Sequence, residues 1–284
     1  MKIQNVIVDM GNYDIKYKGN VTGKFSSKIS TDFNPNPDAY ERVEIYGAIT
    51  YIGVGTLQRE YNKVDKDYLA QLLYAISRAT TNREVNLGLL LPVIQLNNKD
   101  KWINEFKNKT FNFKLNGKDK SIHINKVSIM PEGYISYYSQ NNSKECLLID
   151  IGSRTLNFAT FLNGQIEMNW TEKLGTFDFY SIIKDIENSK GETFTEEDIE
   201  RQINRGRIQV KAELYVDFLK KILNLAKGKV ALKNYDTIFC GGGAELLKDY
   251  ILKFTPATVS KDAQYTNVNG AYAVCNKMWG ENRC

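Results

Sequence analysis

Two short apolar runs in the sequence are each followed by the same arrangement of polar residues. Residues 6–8 (Val-Ile-Val) lead into Asp9 and Gly11, and residues 147–149 (Leu-Leu-Ile) lead into Asp150 and Gly152. After each glycine the chain alternates between polar and apolar residues, which is the period of a strand with one buried face. The pattern predicts two β-hairpins, one over residues 1–20 and one at the start of the second half of the chain.

Periodicity in the rest of the chain predicts a mixed α/β protein. Short strands with turn signals over residues 21–62 indicate a small lobe. The other predicted elements are a helix around residues 68–76, a buried strand over 86–91, two strands over 111–127 turning at Asn116-Gly117, a helix over 132–140, helices from about 177 and from Thr195, a long helix over about 208–226, and a helix over 244–254. Thr195 and Asp198 have the spacing of a capping box.

The first Asp-x-Gly turn has the residue types that a phosphate site requires. A glycine accepts positive φ and lets backbone N–H groups approach an anion with no side chain between them. A carboxylate at the end of the buried strand can hold waters of Mg²⁺, which keeps several waters and takes few protein ligands. On the return strand Asn12, Asp14 and Lys16 share one face, so Lys16 can point toward the phosphates.

A third segment, Gly241-Gly242-Gly243, follows the strand-like residues 237–240 and precedes a helix-like stretch. Each of the three segments taken alone is more often an ordinary turn. Their order and their strand contexts together favour a site for a nucleoside triphosphate.

Composition narrows the function classes. The 284 residues have a formal net charge of +5, spread without a basic stripe, so direct nucleic-acid binding is not expected. No apolar stretch approaches the roughly 20 residues of a membrane span, and the polar N-terminus is unlike a signal peptide, which favours the cytoplasm. The four cysteines (Cys146, Cys240, Cys275 and Cys284) lack metal spacing, with Cys146 and Cys240 expected beside buried strands, and His123 is predicted to be an exposed strand residue.

The three segments resemble the motifs of the actin-like ATPases, the superfamily of actins, sugar kinases and heat-shock chaperones. Asp9-x-Gly11-Asn12-x-x-x-Lys16 is similar to the first phosphate motif, Asp150-Ile151-Gly152-Ser153-x-Thr155 to the second, and residues 239–245 to the adenosine motif. Met130-Pro131-Glu132-Gly133 and residues 267–272 resemble the two connecting helices. Within the superfamily the sequence resembles the ParM family of plasmid-segregating bacterial actins, and the resemblance spans residues 9–272.

The resemblance implies an α/β, actin-like ATPase fold with two related domains around a nucleotide cleft. Domain I would comprise residues 1–148 and 266–284, with a small lobe at about 21–62. Domain II would comprise residues 149–265, with a small lobe at about 186–206. The upper lobe of domain II is expected to be reduced, because the insert before the long helix is short.

The resemblance also implies roles for single residues. Glu132 would orient the attacking water, Asp150 would help to take its proton, and Asp9 and Asp150 would hold Mg²⁺ through waters. The implied nucleotide-binding residues belong to the two turns, the glycine loop and the start of the long helix: Asp9, Gly11, Asn12, Tyr13, Lys16, Gly152, Ser153, Arg154, Thr155, Arg207, Lys211, Gly241, Gly242, Gly243 and Glu245, with Glu213 as a further candidate. Arg154 stands where a small or neutral residue is expected, and either contacts phosphate or points into solvent.

The function implied by the resemblance is an ATPase that forms filaments and segregates plasmid DNA. Its cofactors would be ATP, or GTP, with Mg²⁺. Its partners would be further copies of itself and a small DNA-binding adaptor at a centromere-like site. A small-molecule kinase similar to type III pantothenate kinases is an alternative, although the Gly-x-Asp-Arg segment of those enzymes does not occur here. A regulatory ATP-dependent protein that does not polymerise is another.

Overall fold

The computed structural model describes residues 3–32, 36, 39–58, 60–140 and 143–280. The chain divides into two units, Met1–Asn141 with Asn267–Cys284, and Asn142–Thr266. The resemblance to the actin-like ATPases predicts these divisions at 148/149 and at 265/266. None of the helices within the described ranges is long and apolar enough to cross a membrane.

The described part of the first unit is built on a mixed sheet of nine strands. The strands are β1 (Gln4–Met10), β2 (Asp14–Lys18), β3 (Thr22–Ser26), β4 (Ile29–Ser30), β5 (Arg42–Ile45), β6 (Ala48–Ile52), β7 (Glu84–Leu91), β8 (Lys109–Leu115) and β9 (Lys118–Pro131). Their order across the sheet is β3-β2-β1-β7-β9-β8-β5-β6-β4. The helices are α1 (Leu69–Ala79), α2 (Lys99–Phe106) and α8 (Thr266–Trp279), whose first residue falls at the division between the units.

Burial explains why the central strands of this sheet are so apolar. Strand β7 lies between β1 and β9 and is parallel to both, so it is covered on both faces and its sequence is almost continuously apolar. Helix α1 packs Leu72, Leu73 and Ile76 into the same core. The predicted first hairpin, the helix near residue 68 and the turn at Asn116-Gly117, where both residues have positive φ, are confirmed.

The second unit has a five-stranded sheet in the order β12-β11-β10-β13-β14. Its elements are β10 (Cys146–Ile151), β11 (Leu156–Leu162), β12 (Gln165–Glu172), α3 (Thr176–Asn188), α4 (Glu196–Asn204), α5 (Ala212–Lys227), β13 (Asp236–Cys240), α6 (Gly242–Leu246), α7 (Lys248–Phe254) and β14 (Thr258–Val259). The predicted second hairpin and the two helices near 177 and 195 are confirmed. In the capping box the backbone N–H of Thr195 donates to Asp198 Oδ2 at 3.0 Å.

Five strands of the first sheet repeat the pattern of the second. β1 pairs antiparallel with β2 and parallel with β7, and β10 pairs antiparallel with β11 and parallel with β13. The series β3-β2-β1-β7-β9 therefore corresponds to β12-β11-β10-β13-β14. Asp9 is the penultimate residue of β1, and Asp150 is the penultimate residue of the corresponding strand β10. Between β12 and α5 the described residues form α3 and α4 and no strand, which agrees with the reduced upper lobe expected for domain II.

The helix predicted over residues 132–140 is wrong. Glu132 directly follows β9, and Tyr134–Ser139 form a short 3₁₀ helix. Gly133 has φ of 71° and ψ of −65°, outside the right-handed helical region, so no helix can run through it. Its backbone N–H donates to Asn267 Oδ1 at 3.0 Å.

The start of the predicted long helix is also wrong. Helix α5 begins at Ala212, with Lys211 as its N-cap residue. The backbone N–H groups of Arg207 and Ile208 donate to the carbonyl of Gln202 at 2.9 and 3.4 Å. These bonds close the end of α4, so residue 207 belongs to the connection between two helices. The helix predicted over 244–254 is two helices, α6 and α7, that meet at Leu247.

The predicted environments of the cysteines and the histidine are partly confirmed. Cys146 and Cys240 are fully buried in strands. His123 lies in β9 as predicted, but it is half-buried, and its Nδ1 is 2.8 Å from Thr110 Oγ1. Cys284 lies outside the described residues.

Candidate functional site

The first turn joins β1 to β2 and places Asp9 directly opposite Lys16 in the antiparallel ladder. Residues opposite each other in such a ladder project from the same face of the sheet, so Lys16 lies on the same face as Asp9. That Lys16 points toward the phosphates stays a prediction. At Gly11 a Cβ atom would overlap the carbonyl oxygen of Asp14, so the turn accepts only glycine without a backbone shift.

Ser27 forms hydrogen bonds to two carbonyl groups of this turn, those of Asn12 and Tyr13. Ser27 Oγ lies 2.6 Å from the carbonyl oxygen of Asn12 and 3.0 Å from that of Tyr13, and its backbone N–H donates to Tyr13 at 2.8 Å. Gln71 of α1 donates in turn to the Ser27 carbonyl at 2.7 Å. Two carbonyls of the turn are thus held by hydrogen bonds to Ser27, a residue that lies outside the predicted motifs.

Lys63 forms ion pairs with Asp9 and Glu132, the two acidic residues of the first unit that belong to the candidate site. Its ammonium group donates to Asp9 Oδ1 at 3.1 Å and forms a close ion pair with Glu132 Oε1. All three side chains are buried, and Lys63 is only 4% exposed. Burying a charge is costly unless it is paired and hydrogen-bonded, and here each charged group has an opposite charge beside it.

The charges set the ionisation of this cluster. Burial alone would raise the pKa of Asp9, but the positive charges of Lys63 and Lys16 outweigh it and hold that pKa below its usual value. Burial alone would lower the pKa of Lys63, but the charges of Asp9 and Glu132 raise it above its usual value. Asp9 and Lys63 are therefore both ionised near neutral pH.

Lys66 makes a second contact to the same turn. Lys63–Asp65 form a short 3₁₀ helix, and Lys66 is the residue that caps its C-terminus. Lys66 donates to Asn12 Oδ1 and to the carbonyl of Gln58, the latter at 3.3 Å. Its ammonium group is also 5.5 Å from the ring centroid of Tyr68. Two buried lysines from residues 63–66 thus bind the side chains of Asp9 and Asn12.

The second turn joins β10 to β11 and lies against the start of α3. The backbone N–H groups of Thr176 and Phe177 donate to the carbonyls of Gly152 and Ser153 at 3.1 and 2.9 Å. The approach is close enough that a Cβ atom at Gly175 would overlap the backbone of Ser153. Gly175 therefore allows α3 to hold this turn, and the sequence analysis did not identify it. Thr155 is buried at the far side of the turn.

Arg154 lies on an aromatic ring. Its guanidinium carbon is 5.3 Å from the ring centroid of Phe177, a cation–π distance. Whether Arg154 contacts phosphate stays a prediction.

The three glycines of the loop after β13 have different surroundings. Gly241 has φ of 85°, and a Cβ atom there would overlap Asp150 Oδ1. At Gly243 it would overlap the side chain of Ile151, whereas at Gly242 it would meet nothing within 4 Å. Gly242 and Glu245 are exposed. The loop thus packs directly against the carboxylate of the second turn.

The residues proposed at the start of the long helix are all exposed. Arg207 lies between α4 and α5, Lys211 is the N-cap residue of α5, and Glu213 lies in its first turn. Their binding of nucleotide remains a prediction.

Comparison with known proteins identifies this architecture. Residues 8–134 match the family model of the N-terminal domain of actin-like proteins. The whole chain is similar to three solved structures: Ta0583, an archaeal actin homologue (TM-score 0.82, 17% identity, 97% of this chain and 100% of that one), a 15-stranded ParM filament from Clostridium botulinum (0.76, 17%, 98% and 100%), and an AlfA filament from B. subtilis plasmid pLS32 (0.68, 20%, 94% and 97%). The chain has the actin-like fold. No curated protein matches its sequence.

Within each unit the candidate residues are of the types that a phosphate group with Mg²⁺ would require. Each unit has one aspartate at the turn that follows its central strand, and glycines fill the positions where a side chain would block the backbone. The described residues contain no group of three or more His, Cys, Asp or Glu side chains that could hold a metal. Magnesium usually keeps most of its ligands as water and phosphate oxygen, so a single aspartate at a turn is compatible with it.

Proposed function

We propose that this actin-like protein binds and hydrolyses ATP with Mg²⁺. One observation carries the proposal: the same strand pattern occurs in both units, and in each the aspartate stands at the same position before a glycine turn. A single Asp-x-Gly turn is common, whereas its repetition at corresponding positions of two sheets is typical of a shared role.

The roles follow from the chemistry of each residue. The backbone of residues 11–13 and 152–154 is proposed to surround the phosphates. The N–H groups of Gly11 and Gly152 donate within their turns, to the carbonyls of Asp9 and Thr155 at 2.9 Å each, so the backbone of residues 12–13 and 153–154 is the candidate for phosphate contact. Lys16, opposite Asp9, adds a positive charge. Asp9 and Asp150 are the candidates to hold Mg²⁺ through waters, and Mg²⁺ when bound neutralises charge on the phosphates. Glu132 is the candidate to orient the attacking water, and Asp150 to help take its proton. The site suits GTP on the same grounds, so both nucleotides should be compared.

Phosphate release by the purified protein tests the reaction. The wild type should release phosphate from ATP only with Mg²⁺. Glu132→Gln should still bind a fluorescent ATP analogue but lose most of its turnover. Glu192→Gln, an exposed change between α3 and α4, should match the wild type. Full turnover in Glu132→Gln would remove that residue from the mechanism.

We further propose that nucleotide-bound copies assemble into filaments that move plasmid DNA through a small DNA-binding adaptor. Two of the similar solved structures, the C. botulinum ParM and the plasmid AlfA, are filaments. A head-to-tail contact that does not close into a ring produces a helical filament, and the nucleotide can bias that contact by changing the conformation of the protomer.

Light scattering and electron microscopy test the assembly. Scattering should rise on addition of Mg-ATP and filaments should be visible, while the protein without nucleotide should not scatter. The absence of polymer at every concentration would contradict the filament proposal. Transfer of phosphate to a small hydroxyl acceptor, instead of water, would favour the kinase alternative.

A further inference from the structure

Lys63 contacts both acidic groups that the first unit contributes to the proposed site. Its Nζ atom is hydrogen-bonded to Asp9 and to Glu132, and the side chains of all three residues are at most 8% exposed. Lys63 belongs to neither phosphate turn and to none of the segments that resemble actin motifs. The structure therefore adds a buried cation to the site that the proposed mechanism does not yet use.

The backbone that carries Lys63 is fixed by its own hydrogen bonds. The Lys63 N–H donates to Gln95 Oε1 at 2.9 Å, and Gln95 Nε2 donates to the carbonyl of Tyr61 at 3.2 Å. Gln95 is itself buried. Since Gln95 fixes the backbone at residues 61 and 63, the Lys63 side chain extends to the carboxylates from a backbone position that is held in place.

Glu132 needs such a partner because of its place in the chain. It follows the last residue of β9 and precedes Gly133, whose φ of 71° turns the chain away from the strand direction. A glutamate side chain has three rotatable bonds, and a carboxylate that orients water must keep one orientation. The close ion pair with Lys63 links the Glu132 carboxylate to Asp9, because both acids contact the same ammonium group.

We propose that Lys63 is a positioning residue that holds the Glu132 carboxylate in the orientation needed for the attacking water. This inference rests on the ATP hydrolysis proposed above. Lys63 acts through Glu132, so removing it should matter only while Glu132 is present. A lysine with a merely structural role would change stability and nucleotide affinity and would show no such dependence.

The test compares steady-state kinetics of Lys63→Met, Glu132→Gln and the double variant. Lys63→Met should lower kcat about 10–100-fold, the usual effect of losing an orienting partner, with little change in KM for Mg-ATP. The double variant should be no slower than Glu132→Gln. Lys63→Arg, which keeps the charge, should recover part of the lost turnover. Lys101→Met should match the wild type, since it removes only an exposed ion pair with Asp65, two residues after Lys63.

The design allows for a Lys63→Met variant that does not fold, because that change leaves two acids without their shared cation. The double variant also removes the charge of Glu132, and the remaining acid, Asp9, still has the positive charge of Lys16 near it. The double variant should therefore fold, as judged by circular dichroism and by binding of a fluorescent ATP analogue. Two comparisons of turnover then test the positioning role of Lys63. One compares the double variant with Glu132→Gln, and the other compares Lys63→Arg with the wild type.

Three results would overturn the inference. One is wild-type kcat in Lys63→Met. Another is a double variant slower than Glu132→Gln by the factor that Lys63→Met costs in the wild type, since independent effects multiply. The third is a wild type that hydrolyses no ATP, which overturns the proposed function as well and is seen before any variant is compared.

Discussion

Gly241 lies against the carboxylate of Asp150, so closely that a Cβ atom at position 241 would overlap Asp150 Oδ1. The same residue has φ of 85°, and its backbone N–H donates to the carbonyl of Ala263 at 2.8 Å. The glycine loop and the second turn are therefore one packed structure within their unit, joined at the residue proposed to hold the metal.

Gly241→Ala should destabilise the protein. A non-glycine residue at this φ costs about 1–3 kcal/mol, and the overlap with the carboxylate and with the backbone of Ile151 adds to that cost. The free energy of unfolding, measured by urea denaturation, should fall by at least that amount. Gly242→Ala is the matched control, because a Cβ atom there meets nothing within 4 Å. Equal stabilities of the two variants would contradict this packing.

Acid should weaken the protein partly through Asp9. The folded-state pKa of this group lies below its usual 3.8, because Lys63 and Lys16 outweigh the effect of burial. Its stabilising effect is complete above the pKa of the unfolded chain and is lost as the pH falls through the lower, folded-state pKa. Urea denaturation at a series of acidic pH values should show a steeper loss of stability in the wild type than in Asp9→Asn. Asp119→Asn, an exposed change, should follow the wild type. Parallel curves for the wild type and Asp9→Asn would refute this assignment.

Ser27→Ala should weaken the first turn. The change removes the hydroxyl that lies within hydrogen-bonding distance of the carbonyls of Asn12 and Tyr13, and such a bond is worth about 1 kcal/mol. Both the unfolding free energy and the affinity for an ATP analogue should decrease. The neighbouring Ser26→Ala removes a hydroxyl that accepts a 3.4 Å bond from the Lys28 N–H, and it should leave the affinity unchanged. A loss of affinity equal in both variants would mean that Ser27 does not hold the turn.

The buried cysteines should be unreactive in the folded protein. Burial raises the pKa of Cys146 and of Cys275 to about 12, so almost no thiolate is present at neutral pH, and Cys240 is fully buried. A Cys284→Ser variant keeps three of the four cysteines. In this variant Ellman's reagent should titrate no thiol before unfolding and three after it. Rapid reaction of the native variant would show that these strands and α8 open readily.

Local sequence was sufficient for the parts of the fold with strong periodicity. The hairpins at Asp9 and Asp150, helix α1 and the turn at Asn116-Gly117 could be predicted because apolar spacing and turn chemistry act over a few residues. The helix predicted over 132–140 failed because the backbone of one residue, Gly133, takes a conformation that composition does not reveal.

The missed residues of the site share a different cause. Lys63, Lys66 and Ser27 contact turn and site residues that are 14 to 69 positions away in the sequence. Gly175 acts through a close approach of its backbone to Ser153. A lysine in the run Asn62–Lys66 looks like an ordinary surface residue, since the sequence shows neither its burial nor its partners. Only the folded chain places Lys63 between Asp9 and Glu132.

The most direct test of the account is a calorimetric titration of a slowly hydrolysed ATP analogue with Mg²⁺ into the wild type and Asp150→Asn. The account predicts binding of one nucleotide per wild-type chain and an affinity at least about tenfold lower in Asp150→Asn. A wild type that binds no nucleoside triphosphate, or an Asp150→Asn variant that binds as tightly as the wild type, would contradict the proposed site.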